Sequence, residues 1–345
     1  MRIFSYRNKR TLRRIALIAL LAVVLLGLLI LARISYLGRY AVYSPDGVYF
    51  DKTQKLQRAP QTPEAASDAE EYPFETILSA AAEETDVDPN AVQLQGVYIS
   101  TTMLANSVDE VRQALADADG YNAVLIDVKS PLGNFYYSTD IADTQTADAD
   151  ISACDALIKE LTETPDLIVI ARVPAFSDPN FVAKHYSSAL TTKSGDLWMD
   201  ERRCYWLRPD SLDARSYLAA IALELDARGF DEVLFDNFTV PDDSSIAWDA
   251  EAITQVAALE DCAETLGANL TGGSIRLALG TTVPSVAQYA SRVYITTEKA
   301  NDVMTVTEAM AEVLPDPSTQ LVFVTTSHDT RFDASGVIRP LLGGE

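Results

Sequence analysis

From about Val92 onward the chain switches back and forth between two periodicities, and that switching leaves few folds open to it. Apolar runs of strand length recur seven times: GVYIS (96–100), AVLIDVK (123–129), LIVIARV (167–173), EVLFDNF (232–238), IRLALG (275–280), RVYIT (292–296) and LVFVTT (321–326). Between them lie stretches such as SVDEVRQALADAD and SLDARSYLAAIALELDARG, with apolar residues at i, i+3 and i+4 and with Ser or Asp near the start to cap a helix. The strands are β-branched and show little polar alternation, as expected where both faces of a parallel sheet are covered. Repeated strand–helix units at this spacing predict an α/β fold, a (β/α)8 TIM-like barrel over residues 93–345. No eighth strand is evident in SHDTRFDASGVIRPLLGGE, which leaves open a barrel incomplete at its C-terminus. A doubly wound open sheet is the alternative, although no GxGxxG follows the first strand and no GxxxxGKS/T occurs.

The first forty residues have a different character. Residues 15–32 read IALIALLAVVLLGLLILA without a charge, which as a helix spans about 27 Å against a bilayer core of about 30 Å. Six Lys/Arg precede this run and only Arg33 and Arg39 closely follow it. The positive-inside rule then predicts a cytoplasmic tail (1–14), a single transmembrane anchor (15–33) and an extracytoplasmic remainder. A cleaved signal peptide is the rival, but its apolar region is shorter and ends in small residues, whereas this one runs into ARISYLGRY. Residues 34–92 include LQRAPQTPEAASDAEEYP, whose Pro, Ala, Ser and acids read as a stalk. The expected localisation is the cell membrane, with the lipid bilayer a partner of the N-terminal helix.

The first forty residues hold no acid, so the other 305 carry 19 Lys/Arg against 50 Asp/Glu. So acidic a surface repels phosphate backbones and argues against a nucleic-acid partner. Cys154, Cys204 and Cys262 lack the spacing of a zinc site and read as buried thiols, with a single Cys204–Cys262 or Cys154–Cys204 bridge the alternative. His185 and His328 form no HExxH or HxH pattern, so no metal or other cofactor is expected, and no GxSxG supports a serine hydrolase.

A parallel barrel builds its active site at the carboxyl ends of the strands. There stand Tyr98 on the first strand, Asp127 and Lys129 after the second, Arg172 on the third, Asp236 and Asn237 on the fourth, and Glu298 past the sixth. Charges gathered on one rim are costly to bury unpaired, so an Asp127–Arg172 or Asp236–Lys129 pair is expected. The loop LWMDERRCYWLRPD adds Trp198, Asp200 and Trp206. Its aromatic faces either stack on sugar rings or pack the loop onto the barrel.

The succession GVYIS, YNAVLIDVKSPLGNFYYS, LIVIARVPAFSDP, SGDLWMDERRCYWLRPDS and GFDEVLFDNFTVP resembles the glycoside hydrolase family DUF4015 over about residues 96–241. The resemblance implies a TIM-barrel relative of the α-amylase and α-galactosidase groups, with Asp236 as the catalytic nucleophile. It sets Asp127, Lys129 and Arg172 on the family's other rim positions. A second carboxyl, Glu298 or Asp127, would then protonate the leaving oxygen. Trp198, Asp200, Trp206, Asn237, Tyr98, Lys129 and Arg172 would bind substrate. The chain departs from the family pattern twice: DNFTVP replaces an ending like DYVRFP, so Thr239 stands for arginine, and the fifth strand ends on Gly280, Thr281 and Thr282 without an acid. Two functions therefore stay open. One is a membrane-anchored extracytoplasmic glycoside hydrolase acting on a cell-envelope or extracellular polysaccharide; the other is an inactive glycan-binding or scaffolding protein.

Overall fold

A computed structural model of the chain describes residues 41–44, 47–50 and 92–342. The expected anchor, residues 15–33, and most of the stalk lie outside the described residues. Among the described residues no helix is long and apolar enough to cross a membrane. The chain divides into two units, Met1–Ala81 and Ala82–Glu345. Of the first, an antiparallel hairpin of Ala41–Ser44 and Gly47–Phe50 is described, in a segment read as stalk.

The second unit is a closed barrel of eight parallel strands: β1 (Gln95–Ile99), β2 (Ala123–Asp127), β3 (Ile168–Pro174), β4 (Glu232–Asp236), β5 (Arg276–Leu279), β6 (Arg292–Thr296), β7 (Leu321–Val324) and β8 (Gly336–Pro340). The expectation of an incomplete barrel is corrected by β8, which pairs Val322 with Gly336 on one side and Val337 with Gln95 on the other. Two glycines let that seam close. A Cβ on Gly96 would stand 2.9 Å from Ile338 Cγ1, and one on Gly336 would stand 2.9 Å from Val322 Cγ2.

Four long helices cover the first half of the barrel: α1 (Val108–Asp117), α2 (Ile151–Thr162), α3 (Leu212–Ala227) and α4 (Gln255–Asn269). Their N-caps are Ser107, Asp150, Ser211 and Thr254, each accepting a backbone N–H from the first turn. The second half is thinner. It has the four-residue α5 (Pro284–Ala287), then α6 (Asp302–Met310), and only a 3-10 turn, Thr330–Ala334, between β7 and β8.

Side chains alternate across each strand, and this period of two sorts the barrel into layers. Outward residues such as Val124, Ile126, Val169, Ala171, Val233 and Phe235 pack under the helices. Inward residues Leu125, Ile170, Leu234, Ala278, Tyr294, Val322 and Ile338 fill the middle of the barrel. Below them, at the amino ends, Glu232 is fully buried between Arg276 (3.0 Å) and Arg292, and accepts the Tyr294 hydroxyl at 2.8 Å. Above them the same inward parity falls on Tyr98, Asp127, Arg172, Asp236 and Thr296. The register therefore delivers polar groups to the carboxyl mouth.

Candidate active site

Asp127 and Arg172 are direct partners in the β2–β3 register, so their inward side chains meet. Arg172 grips Asp127 with two donors, Nε at 2.5 Å and Nη2 at 3.0 Å. The Tyr98 hydroxyl, across on β1, donates to Asp127 and accepts from Arg172, both at 2.5 Å, and the guanidinium lies 4.4 Å over the Tyr98 ring. The expected Asp127–Arg172 pair is present, and both of its members are largely enclosed. Asp236, whose register partner is Pro174 rather than Arg172, stands higher, with Oδ2 3.9 Å from Arg172 Nη1.

Asp236 opens on a cavity of about 490 Å³, and it is the single carboxyl among the lining residues. The Tyr294 ring lies on that lining while its hydroxyl is held below by Glu232. Thr239, Thr281, Thr282 and Thr296 supply hydroxyls. The empty end of the fifth strand has a steric reason. A Cβ on Gly280 would stand 2.6 Å from Asp236 Oδ1 and 3.0 Å from its Cα, so the ground an acid there would need is held by Asp236 itself. Asn237, at φ 51°, turns the chain out of β4, and its backbone N–H hydrogen-bonds to the Asp236 carboxyl. Burial pushes the Asp236 carboxyl above the usual aspartate range, against the pull of Arg172 and of that N–H.

A second cavity, of about 290 Å³, shares Asn237 and Arg202 with the first and adds Asp200, Glu201 and Trp206. These belong to a hairpin in which Met199 pairs with Tyr205. Asp200 ties its turn together, Oδ1 accepting from Cys204 N at 2.8 Å and Oδ2 from Trp206 Nε1 at 3.0 Å. Arg203 takes the positive φ of 64° that the tight turn needs. Glu201 and Arg202 are left exposed at the tip.

Three expected site residues stand elsewhere. Lys129, expected to bind substrate, lines neither cavity. The chain bends after Asp127 to bridge Phe135, and Lys129 is turned inward, 1% exposed, onto Asp178 at 3.0 Å and Ser177 O at 3.2 Å. The expected Asp236–Lys129 pair is therefore absent. Glu298 is exposed and lines neither cavity. It accepts from the Thr326 hydroxyl (2.6 Å), Thr326 N (3.0 Å) and the Thr325 hydroxyl (3.2 Å). Those bonds, from Thr326 first, hold it below the usual carboxylate range, the wrong direction for a proton donor. Trp198 is buried, with Nε1 bonded to Asp243 at 2.9 Å and its ring edge-on to Trp206 at 6.0 Å, so it packs the loop. Trp206 alone of the two lines a cavity.

The three cysteines are free and buried. Among the described residues no group of three or more His, Cys, Asp or Glu could hold a metal ion, and His185 sits against Asp143 and stacks on Phe181. Glu201, with Asp200 and Asp210, reads from the sequence as a loop acid that could hydrogen-bond hydroxyls or simply be solvated, whereas Arg202 was not singled out. The signal for it was a charged DERR tip set between Trp198 and Trp206.

A family model described as "Putative glycosyl hydrolase domain" (DUF4015) matches residues 96–291, more than half of the chain. Among solved structures, a hypothetical protein from Ruminiclostridium thermocellum ATCC 27405 is similar at 23% identity and TM-score 0.46, over 52% of this chain and 96% of that one. Ega3 from Aspergillus fumigatus, solved as a complex with galactosamine, is similar at 13% identity and TM-score 0.46, over 73% and 92%. The glycoside hydrolase domain of PelA from Pseudomonas aeruginosa is similar at 13% identity and TM-score 0.42, over 67% and 83%. None of the curated proteins matches the chain.

Proposed function

The chain belongs to the DUF4015 family of glycosyl hydrolase domains, and from that membership we propose a membrane-anchored glycoside hydrolase that acts on a polysaccharide outside the cytoplasm. Asp236 carries the reading: a carboxyl at the end of β4, 24% exposed, open to a hydroxyl-lined cavity and 3.9 Å from a guanidinium. In the mechanism we assign, ionised Asp236 attacks the anomeric carbon and a second carboxyl protonates the departing oxygen. Glu201 takes the second role. It faces the adjoining cavity, and its carboxylate has no hydrogen-bond or ion-pair partner among the described residues, whereas Asp200 and Asp127 are bonded through both oxygens. Arg172, fixed by Asp127 and Tyr98, holds positive charge beside Asp236 and favours its ionised form. The basic tail and the apolar run 15–32 support an anchor with the barrel outside.

The test supplies intact cells bearing the full-length protein with a panel of envelope and extracellular polysaccharides too large to cross a membrane. Release of reducing ends is expected, with Asp236→Asn slower by at least about 10³-fold. Equal release by both proteins removes Asp236 from the mechanism. Release only after lysis removes the outward orientation. A glycan-binding role without hydrolysis is the second reading, favoured by the single carboxyl on the larger cavity. Saturable binding of a polysaccharide that is never cleaved would select it.

A further inference from the structure

Nine of the eleven described arginines lie within 4 Å of a carboxylate, as expected in a chain with 50 acids and 27 bases. The two without such a partner among the described residues, Arg202 and Arg203, are neighbours at the tip of the Met199–Tyr205 hairpin. Arg202 lines both cavities; Arg203 lines neither. The tip is a built turn, braced by the Asp200 bonds to Cys204 and Trp206, so Arg202 is carried on a fixed support. The other guanidinium of the larger cavity, Arg172, already has Asp127 in a two-pronged grip. Arg202 thus keeps a guanidinium free of any carboxylate within ion-pair distance among the described residues, at the mouth of a strongly acidic molecule.

We infer that the mouth takes an acidic glycan, a uronic-acid polysaccharide whose sugar carboxylate is gripped by Arg202. Guanidinium and carboxylate match as planar two-pronged partners of opposite unit charge. The four threonines of the larger cavity suit the hydroxyls of the same polymer. Acidic polymers are repelled by the rest of the surface, so a cation at the mouth both admits the chain and sets which unit is held there. The assignment rests on the glycan-processing reading above and names its substrate class.

The experiment titrates the full-length protein in neutral detergent with oligosaccharides of polygalacturonate, alginate and hyaluronan. Each is compared with its carboxyl-reduced counterpart, in which CH2OH replaces the carboxylate on an unchanged backbone. At least one acidic member is expected to bind about tenfold or more tighter than its reduced form, with the preference shrinking as salt rises. Arg202→Gln should erase that preference and leave affinity for the reduced form unchanged, Arg202→Lys should keep part of it, and Arg203→Gln should change nothing. Equal affinity for both forms throughout, an unchanged preference in Arg202→Gln, or no binding by any member overturns the assignment. Asp236→Asn separates this from the hydrolytic reading, because it should lose hydrolysis yet keep the preference for the acidic over the reduced form. An Arg202-dependent ligand that the wild type never cleaves would leave the ligand assignment standing and sink hydrolysis.

Discussion

In the proposed mechanism Asp236 must be ionised to attack a sugar, yet its surroundings favour the proton. Burial raises its carboxyl above the ordinary 3.8, and Arg172 at 3.9 Å recovers only part of the loss. Rate and stability therefore respond to pH in opposite senses through one group. The native state keeps this proton to a higher pH than the unfolded chain does. The stabilisation it brings is complete below the unfolded value of 3.8 and is lost as pH rises through the raised native value. Asparagine mimics the protonated carboxyl at every pH, so Asp236→Asn should melt at a higher temperature than the wild type at pH 7. The gap should narrow as pH falls toward 4, and wild-type kcat/KM should fall across the same interval as Asp236 takes up its proton. Thermal unfolding of both proteins over that range checks the point. A wild type that outlasts the variant at neutral pH would mean that Arg172 more than compensates for burial.

The elements that carry the site differ in how far they could be read from sequence. Strands β2, β3 and β4 announced themselves as unbroken apolar runs ending in a charge, and their inward parity puts Asp127, Arg172 and Asp236 at the mouth. Lys129 shares Asp127's parity but follows the end of β2, where parity lapses. Its aim is set by the bend to Phe135 and by Asp178, contacts that no local pattern encodes. The aromatic hairpin was visible as composition, but not which indole packs and which faces a cavity. That choice depends on Asp243 and Asp200, far apart in sequence yet each accepting one indole N–H. The β5 ending looked like a lost acid and is instead a required gap. Gly280→Ala should therefore destabilise by about 1–3 kcal/mol, since its methyl meets the Asp236 carboxyl, its Cα and the Asn237 nitrogen at 2.6 to 3.1 Å. Urea unfolding measures the loss, and turnover should fall with it because the carboxyl has to move. An alanine variant with wild-type midpoint and turnover would show that β4 and β5 are not tightly set there.

Across the whole barrel, the shell of helices thins from β5 onward, and closure rests on small devices. The strand that completes the circle, GVIRP, escaped the sequence reading because it is five residues long, ends in Arg339 and Pro340, and follows a 3-10 turn where a helix was sought. That turn does a helix's work with one side chain. Phe332 is fully buried, meets Phe323 of β7 edge-on at 5.5 Å, and joins Val337 of β8 and Met310 of α6 in a small outer core distinct from the one beneath α1 to α4. Removing it leaves the outer faces of β7 and β8 without cover, and the short turn has no neighbouring side chain of its own to fill the gap. Phe332→Ala should therefore cost about 3–5 kcal/mol. Because the loss falls on the seam, amide hydrogen exchange should quicken first in β7, β8 and the flanking β1, while β2 to β4 keep their protection. Uniform acceleration across all eight strands would instead mean that the barrel opens only as a unit and that the thin side is no weaker than the thick one.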